Sequence, residues 1–487
     1  MARKAAITGL KAATLACASL LVTPPAMADT LRDALAQAYA SNPQLQAARA
    51  QLRATDESVV IQRSAGLPSA DVSGNLTEFL KQSSASFIAP ERSLSANLNL
   101  GVPLFSGGSV RNGILAAENR IEAGRADLRS TESAIFAQVV AAYMDVIRGE
   151  AIAGLSANNV AVLEVNLQAT SDRFEIGDLT RTDVAQSASR LALARADLRT
   201  AQANLAIARE NYIALVGQAP SDLQPPPPLP GLPASVDDAE ELALASNPDL
   251  IAARERAEAA GFDVRVAGAG RLPRLEAFAT GGYQNFLGTL GAIPGSGTAQ
   301  QVNTSAQAGI RVTVPLFQGG RVAAQQRQAQ QQALAALEQA IGTERQVLAQ
   351  VRAAWQNWRA ANAIIASTQA AVDAAELSLE GVRAENTIGN RQILDVLNAE
   401  QELLAARVQL VTARRNEYVA GFNLLAAMGR AEARDLGLDA NGPLYDPVVN
   451  YDRVRGQVWD WQRDPEPLPR GTRTVDIGPQ DGEISAN

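Results

Sequence analysis

The chain of 487 residues contains no histidine and one cysteine, Cys17. Histidine is the usual general base near neutral pH and the commonest metal ligand. Its absence excludes the Ser-His-Asp hydrolase arrangement and imidazole metal sites. A lone cysteine cannot close an internal disulfide or build a multi-thiolate site. Aromatic residues are scarce at 4%, and charged residues reach only 19%. That balance suits long helices with small interface side chains better than a large globular core. Positive charge is also short. The formal net charge is −8, and removing Arg3, Lys4 and Lys11 leaves −11, so no nucleic-acid partner is expected. The glycine-rich "GAGRLP" lacks the third glycine of a dinucleotide motif, and no Gly-x-Ser-x-Gly elbow occurs. Neither an enzyme nor a cofactor is expected.

Long apolar runs are missing too. The longest, "AATLACASLLV", is too short to span a bilayer and follows a basic start. With Ala26 and Ala28 just before Asp29, residues 1–28 read as a cleavable secretory signal. Cys17 is a poor lipid-attachment site, because Thr14 stands where leucine is usual.

What is present is repetition. "SNPQLQAARA" at 41–50 recurs as "SNPDLIAARE" at 246–255, and Leu67-Pro68 recurs as Leu272-Pro273. Further on, "PLFSGG" at 103–108 recurs as "PLFQGG" at 315–320, seven residues later than the first offset requires. The expected organisation is a signal at 1–28, a first repeat at 29–220 and a proline-rich linker at 221–235. A second repeat at 236–430 and a tail at 431–487, whose Pro443, Pro447, Pro465, Pro467 and Pro469 fit partial disorder, complete it.

Each repeat follows one plan. Ser-Asn-Pro starts a helix, and Leu-Pro ends it. Strands come next. In 93–104, Leu94, Ala96, Leu98, Leu100, Val102 and Leu104 share one face, opposite Ser93, Ser95, Asn97, Asn99 and Gly101. In 305–316, Ala306, Ala308, Ile310, Val312, Val314 and Leu316 oppose Ser305, Gln307, Gly309, Arg311 and Thr313. Partner strands are expected at 68–79 and 273–284. After each Gly-Gly a helical pattern runs for about 65 residues, roughly 100 Å, turns, and returns to Gly217 or Gly429. Pro103, Gly107 and Gly108, and likewise Pro315, Gly319 and Gly320, are expected where strand becomes helix. Proline stops ladder pairing there, and glycine permits the turn.

Strands alternating over ten to twelve residues fit a transmembrane β-barrel. Four strands per chain cannot close one, and open edges are forbidden in lipid, so several chains must share a barrel. Two chains would give a filled eight-stranded barrel; three would leave a channel. Phe79, Phe87, Phe105, Phe278, Tyr283, Phe286 and Phe317 are candidates for an aromatic girdle at the membrane interfaces. A coiled-coil surface protein would explain the helices but not the duplicated strands.

The "SNPxL" and "PLFxGG" motifs, with the helical segments around "RFEIGDLTRTDVAQSASRL" and "AENTIGNRQILDVLNAEQELL", resemble the TolC family of outer-membrane efflux and secretion proteins. The resemblance covers about residues 30–430, and it implies the alternative for the 431–487 tail, that part of 436–461 packs around the equator of the helical barrel. It implies an α+β membrane protein: a homotrimer with a shared 12-stranded β-barrel, four strands per chain, continued by a long α-helical coiled-coil barrel in the periplasm. It also implies an exit duct meeting a periplasmic adaptor protein and an inner-membrane ABC or proton-driven transporter. At the periplasmic tip, Asp395 matches the first of two lumenal acids of the family, and Asn398 stands in place of the second. Asp395 read alone is equally a helix first-turn acid. Asp183 and Arg391 match a gate latch, and Asn386 replaces its usual tyrosine. An Asp183–Arg391 ion pair is the expectation.

Overall fold

The computed structural model describes residues 29–81, 89–291, 297 and 299–483. The expected signal and Phe87 lie outside these residues. The first half of the chain forms α1 (Leu31–Ser41), α2 (Pro43–Ser64), β1 (Ser69–Glu78), β2 (Arg92–Phe105), α3 (Ser109–Glu175) and α4 (Arg181–Val216). The second half repeats the order with α5 (Val236–Ser246), α6 (Pro248–Gly268), β3 (Arg274–Asn285), β4 (Val302–Thr313), α7 (Arg321–Thr387) and α8 (Ile393–Ala427). A short α9 (Pro447–Val454) lies in the tail.

The Ser-Asn-Pro motif has two uses in each half. Asn42 caps α2 by accepting from the Gln44 and Leu45 amides, and Asn247 caps α6 in the same way. Each side-chain amide also reaches the end of the returning helix. Asn42 Nδ2 donates to the Leu215 carbonyl at 3.0 Å, and Asn247 Nδ2 to that of Ala427 at 2.9 Å. Both asparagines are buried, so losing either bond would leave unpaired backbone in the interior. At Gly429, a Cβ would stand 2.5 Å from the Ser246 carbonyl, so only glycine fits there.

All four strands form one antiparallel sheet in the order β1-β2-β3-β4. The two hairpins are therefore joined through β2 and β3, leaving β1 and β4 as unpaired edges within the chain. Cross-strand partners share a face. One rung reads Val72, Leu98, Gly281, Ala306; the next reads Ser73, Asn97, Gly282, Ser305. The sheet thus has one apolar and one polar side, and the apolar side ends at its outer rim in the exposed Glu78–Arg92 pair. No part of the described chain covers the apolar side: Val72 is 74% exposed and Ile310 66%.

Two expectations need correction. The last strand is Val302–Thr313, not 305–316. Alternation continues through Val314 and Leu316, but Pro315 has no amide to donate, and pairing stops before it. Phe278 pairs with Gly101 and Gly309, both on the polar side, so it does not belong to a lipid-facing girdle.

The long helices α3 and α7 each run 67 residues, about 100 Å. The main core gathers where both halves meet α1 and the linker. It holds Phe136, Tyr143, Leu205, Tyr212, Val351, Trp355 and Phe422, each no more than 9% exposed. Each such burial contributes about 1.5–3 kcal/mol. Tyr143 Oη donates to the Gln224 carbonyl at 2.6 Å, fastening the linker to α3. Trp355 and Trp358 pack together at 5.4 Å between centroids, so they serve helix packing.

The tail is packed onto the first half. The buried Arg49 guanidinium lies between the rings of Tyr39 (4.2 Å) and Tyr445 (5.1 Å). Asn450 donates to the buried Asp56 at 2.7 Å, and Arg129 pairs with Glu432 at 2.6 Å. Glu132 on α3 accepts the Ala433 amide at 2.5 Å. Burial, with Glu432 nearby, pushes the Glu132 carboxyl up to about 7 from 4.5, although the Ala433 amide opposes the shift. The folded chain therefore holds this proton more tightly than the unfolded chain. The resulting stabilisation is complete below about pH 4.5 and is lost as pH rises through 7. Thermal unfolding of detergent-solubilised protein should show a loss on the order of 2–3 kcal/mol between pH 5 and 8. Glu132→Gln should flatten that slope; an unchanged slope would remove Glu132 as its source.

Candidate functional site

Both helical hairpins turn at the same end of the molecule. Gly177 and Gly389 adopt φ of 84° and 83° in the two turns, a region L side chains avoid. Next to each turn stands an acid at the third helical position. Asp183 accepts from the Thr180 hydroxyl at 2.7 Å and the Thr180 amide at 2.9 Å. These bonds hold its carboxyl below the usual range. Asp395 accepts from the Gln392 amide at 3.2 Å. Each acid thus closes a helix N-terminus, where its charge also favours the helix dipole.

Within the chain, the expected Asp183–Arg391 ion pair is not made. Arg391 instead pairs with Glu385 at 2.7 Å, and its pKa is raised mainly by that carboxylate. Asn386 donates to the Arg391 carbonyl at 2.8 Å. These bonds tie the α7–α8 turn to itself. Asp183 is already engaged by Thr180, six residues or fewer separate each local pair, and local closure needs little chain ordering.

Contacts between the hairpins join Asn398, named above, to residues that sequence reasoning missed. Arg190 on α4 donates to Asn398 Oδ1 at 2.8 Å and also to Gln401, both on α8. Asn398 is therefore held by a cation rather than standing free. Glu400 on α8 is buried, 7% exposed, and is the centre of a polar junction. Asn166 on α3 donates to both of its carboxylate oxygens at 3.1 Å, and Arg383 on α7 reaches it at 2.9 Å. One carboxylate thus joins three long helices. Around it pack Leu163, Leu191, Ala194 and Leu397 from α3, α4 and α8. The signal was present: Glu400 follows Val396 by four residues and Leu397 by three, which places an acid on the buried stripe of α8.

The strand-to-helix junctions lie at the far end of these helices. Gly108 and Gly320, both with φ of 81°, cap α3 and α7. Gly107 and Gly319 precede them, also at positive φ. Pro103 lies inside β2 at a register shift before Phe105, whereas Pro315 lies beyond the end of β4. The two junctions thus use their prolines differently. Among the described residues no group of three metal-ligating side chains occurs, and no helix is long and apolar enough to cross a membrane.

The geometry is a two-faced sheet continued by helices to a polar tip. A family model for outer membrane efflux proteins matches residues 34–218 and 240–430. The outer membrane efflux protein BepC of Brucella suis is 34% identical over 93% of this chain and 96% of its own length. The outer membrane protein TolC of Escherichia coli is 27% identical over 88% of each. Among solved structures, the outer membrane protein VceC of Vibrio cholerae superposes with a TM-score of 0.69 at 26% identity, over 82% of this chain and 96% of that one.

Proposed function

The chain belongs to the outer membrane efflux protein family, the outer-membrane ducts of export systems, and on that premise we propose that three copies close one channel. The observation that carries the proposal is the open four-stranded sheet, apolar and uncovered on one side, with both edges unpaired. Lipid would cover the apolar side, and edges can vanish only by pairing with other copies. Three copies supply twelve strands, enough for an aqueous lumen. The helices support the same reading. Leu334, Leu337 and Ile341 continue the apolar stripe of α7 yet are about half exposed in one chain. Neighbouring copies would bury them.

In such a trimer the helices form a periplasmic barrel narrowing at the tip. Three Asp395 carboxylates ring the constriction and favour cations. Arg190 beside Asn398 weakens that field. A latch between Asp183 of one protomer and Arg391 of the next would exchange the exposed Arg391–Glu385 pair for one across the subunit boundary. A periplasmic adaptor and an inner-membrane ABC or proton-driven transporter complete the path, for proteins or for small molecules.

Planar-bilayer recording tests this reading. The wild-type protein should form discrete channels that multivalent cations block. Asp395→Ala should weaken the block about tenfold or more, because three charges leave one constriction. Unaltered block would place the cation site elsewhere.

A further inference from the structure

The polar side of the sheet is not uniform along its length. Arg274, Glu276 and Arg311 lie in the third nearest the helices, and the remaining charge, Asp71, lies near the middle on the rung of Asn99, Thr280 and Gln307. Farther out the same side carries neutral residues, including Ser73, Asn75, Asn97, Gln284 and Asn303.

Three of the inner residues form one built cluster. Phe278 is flanked by glycine on both neighbouring strands, Gly101 and Gly309. A Cβ on Gly309 would come within 3.2 Å of the Phe278 ring, and one on Gly101 within 2.9 Å of a Glu276 carboxylate oxygen. The ring therefore lies against β4, and the Glu276 carboxylate lies against β2. The Arg311 guanidinium sits over the ring at 4.8 Å from its centroid and 3.7 Å from Glu276. An arginine stacked on an aromatic face keeps fewer conformations and presents its charge at a defined place. Asp71 is held by Asn99 at 2.9 Å.

We propose that the inner mouth of the barrel carries a second charge filter of mixed sign, in which Arg311, stacked on Phe278, offsets Glu276 and sets the potential a passing solute meets. The inference rests on the shared-barrel reading, which turns the polar side into the lumen. Three copies bring a collar of alternating acids and guanidinia, separate from the acidic tip by the length of the helices. Without Arg311 the collar becomes predominantly acidic; without Glu276 it becomes predominantly basic. Arg311 is thus the residue that keeps the mouth from repeating the cation preference of the tip.

The test uses the scarcity of cysteine, since the only one, Cys17, lies in the expected signal. Thr280 lies on the polar side two rungs outward from Phe278, on the rung of Asp71, and Ala279 between them lies on the apolar side. A T280C reporter, with Q307C on the same rung as a second, is reacted with cationic and anionic methanethiosulfonates of similar size. The readout is the ratio of the two rates, which is local and independent of the tip. Adding Arg311→Gln should raise the cation-to-anion ratio about threefold, and Glu276→Gln should lower it about as much. The double variant should return close to the starting ratio. An A279C reporter should be nearly inert to both reagents. Unchanged ratios in reactive T280C and Q307C proteins would overturn the filter. Equal reactivity at Ala279 and Thr280 positions would overturn the assignment of faces. A wild-type protein that conducts no ions would overturn the shared barrel itself.

Discussion

Replacing Glu400 with alanine should raise single-channel conductance several-fold above wild type. The carboxylate is 6% exposed at its side chain and joins Asn166 of α3 to Arg383 of α7. Removing one member of a buried charge pair costs about 3–5 kcal/mol, because the remaining partner stays desolvated. Arg383 is half exposed, so solvent screening brings the expected cost to about 2–3 kcal/mol per chain. Arg383 lies on the same hairpin as Glu400, so what is lost between the hairpins near the tip is the pair of Asn166 bonds to the charged carboxylate, about 2–3 kcal/mol. A closed-to-open equilibrium shifted by 2–3 kcal/mol changes by roughly 30- to 150-fold. Glu400→Gln keeps the shape and one acceptor and should do less. Arg391→Ser should raise conductance modestly, through loss of a latch between protomers; its own-chain pair with Glu385 is surface-exposed and closes only the turn. Wild-type conductance in a folded Glu400→Ala protein would remove this junction from the gate. No rise in Arg391→Ser would remove the latch.

The second large effect concerns the two sides of the sheet. Ala279 sits on the rung Leu100, Ala279, Ala308, facing the apolar side. Thr280, its neighbour, sits on the rung Asn99, Thr280, Gln307. An arginine facing lipid near mid-bilayer costs about 2–4 kcal/mol, and a trimer incurs it three times. Ala279→Arg should therefore deplete assembled protein from the outer membrane, while Thr280→Arg should assemble near wild-type levels with altered conductance. Membrane fractionation with unboiled gel mobility reads both. Equal assembly of the two variants would mean that the apolar side does not face lipid.

Much of this architecture was legible in the residue order because the fold is built twice. The offset between the Ser-Asn-Pro motifs and the shifted offset after the Pro-Leu-Phe motifs locate the same helices and strands in both halves. What was harder to read has physical causes. Apolar alternation through Val314 and Leu316 is a statement about faces, not about pairing, and Pro315 ends the ladder first. Residue type alone puts Phe278 in a girdle, although its neighbours Ala277 and Ala279 on the apolar side place it on the other one. At the tip, Asp183 and Arg391 are recognisable, but the choice between a distant partner and a local one depends on rotamers. Thr180 and Glu385 take those partners within a few residues. Glu400 shows the converse: an acid at a buried helical phase signals a partner without naming it, and the partners lie on α3 and α7. Packing of the tail depends on Arg49, Tyr39 and Tyr445, residues about 400 positions apart, a contact that no local pattern encodes.

If three copies share the sheet, one chain supplies a third of a closed barrel. The mass of the detergent-extracted, unboiled particle, with bound detergent accounted for, tests it most directly. The expected result is three protomers. A monomer would leave both strand edges of β1 and β4 unpaired in lipid, and a dimer would close only eight strands around a filled interior. Either mass, from protein extracted intact, would contradict the shared twelve-stranded barrel.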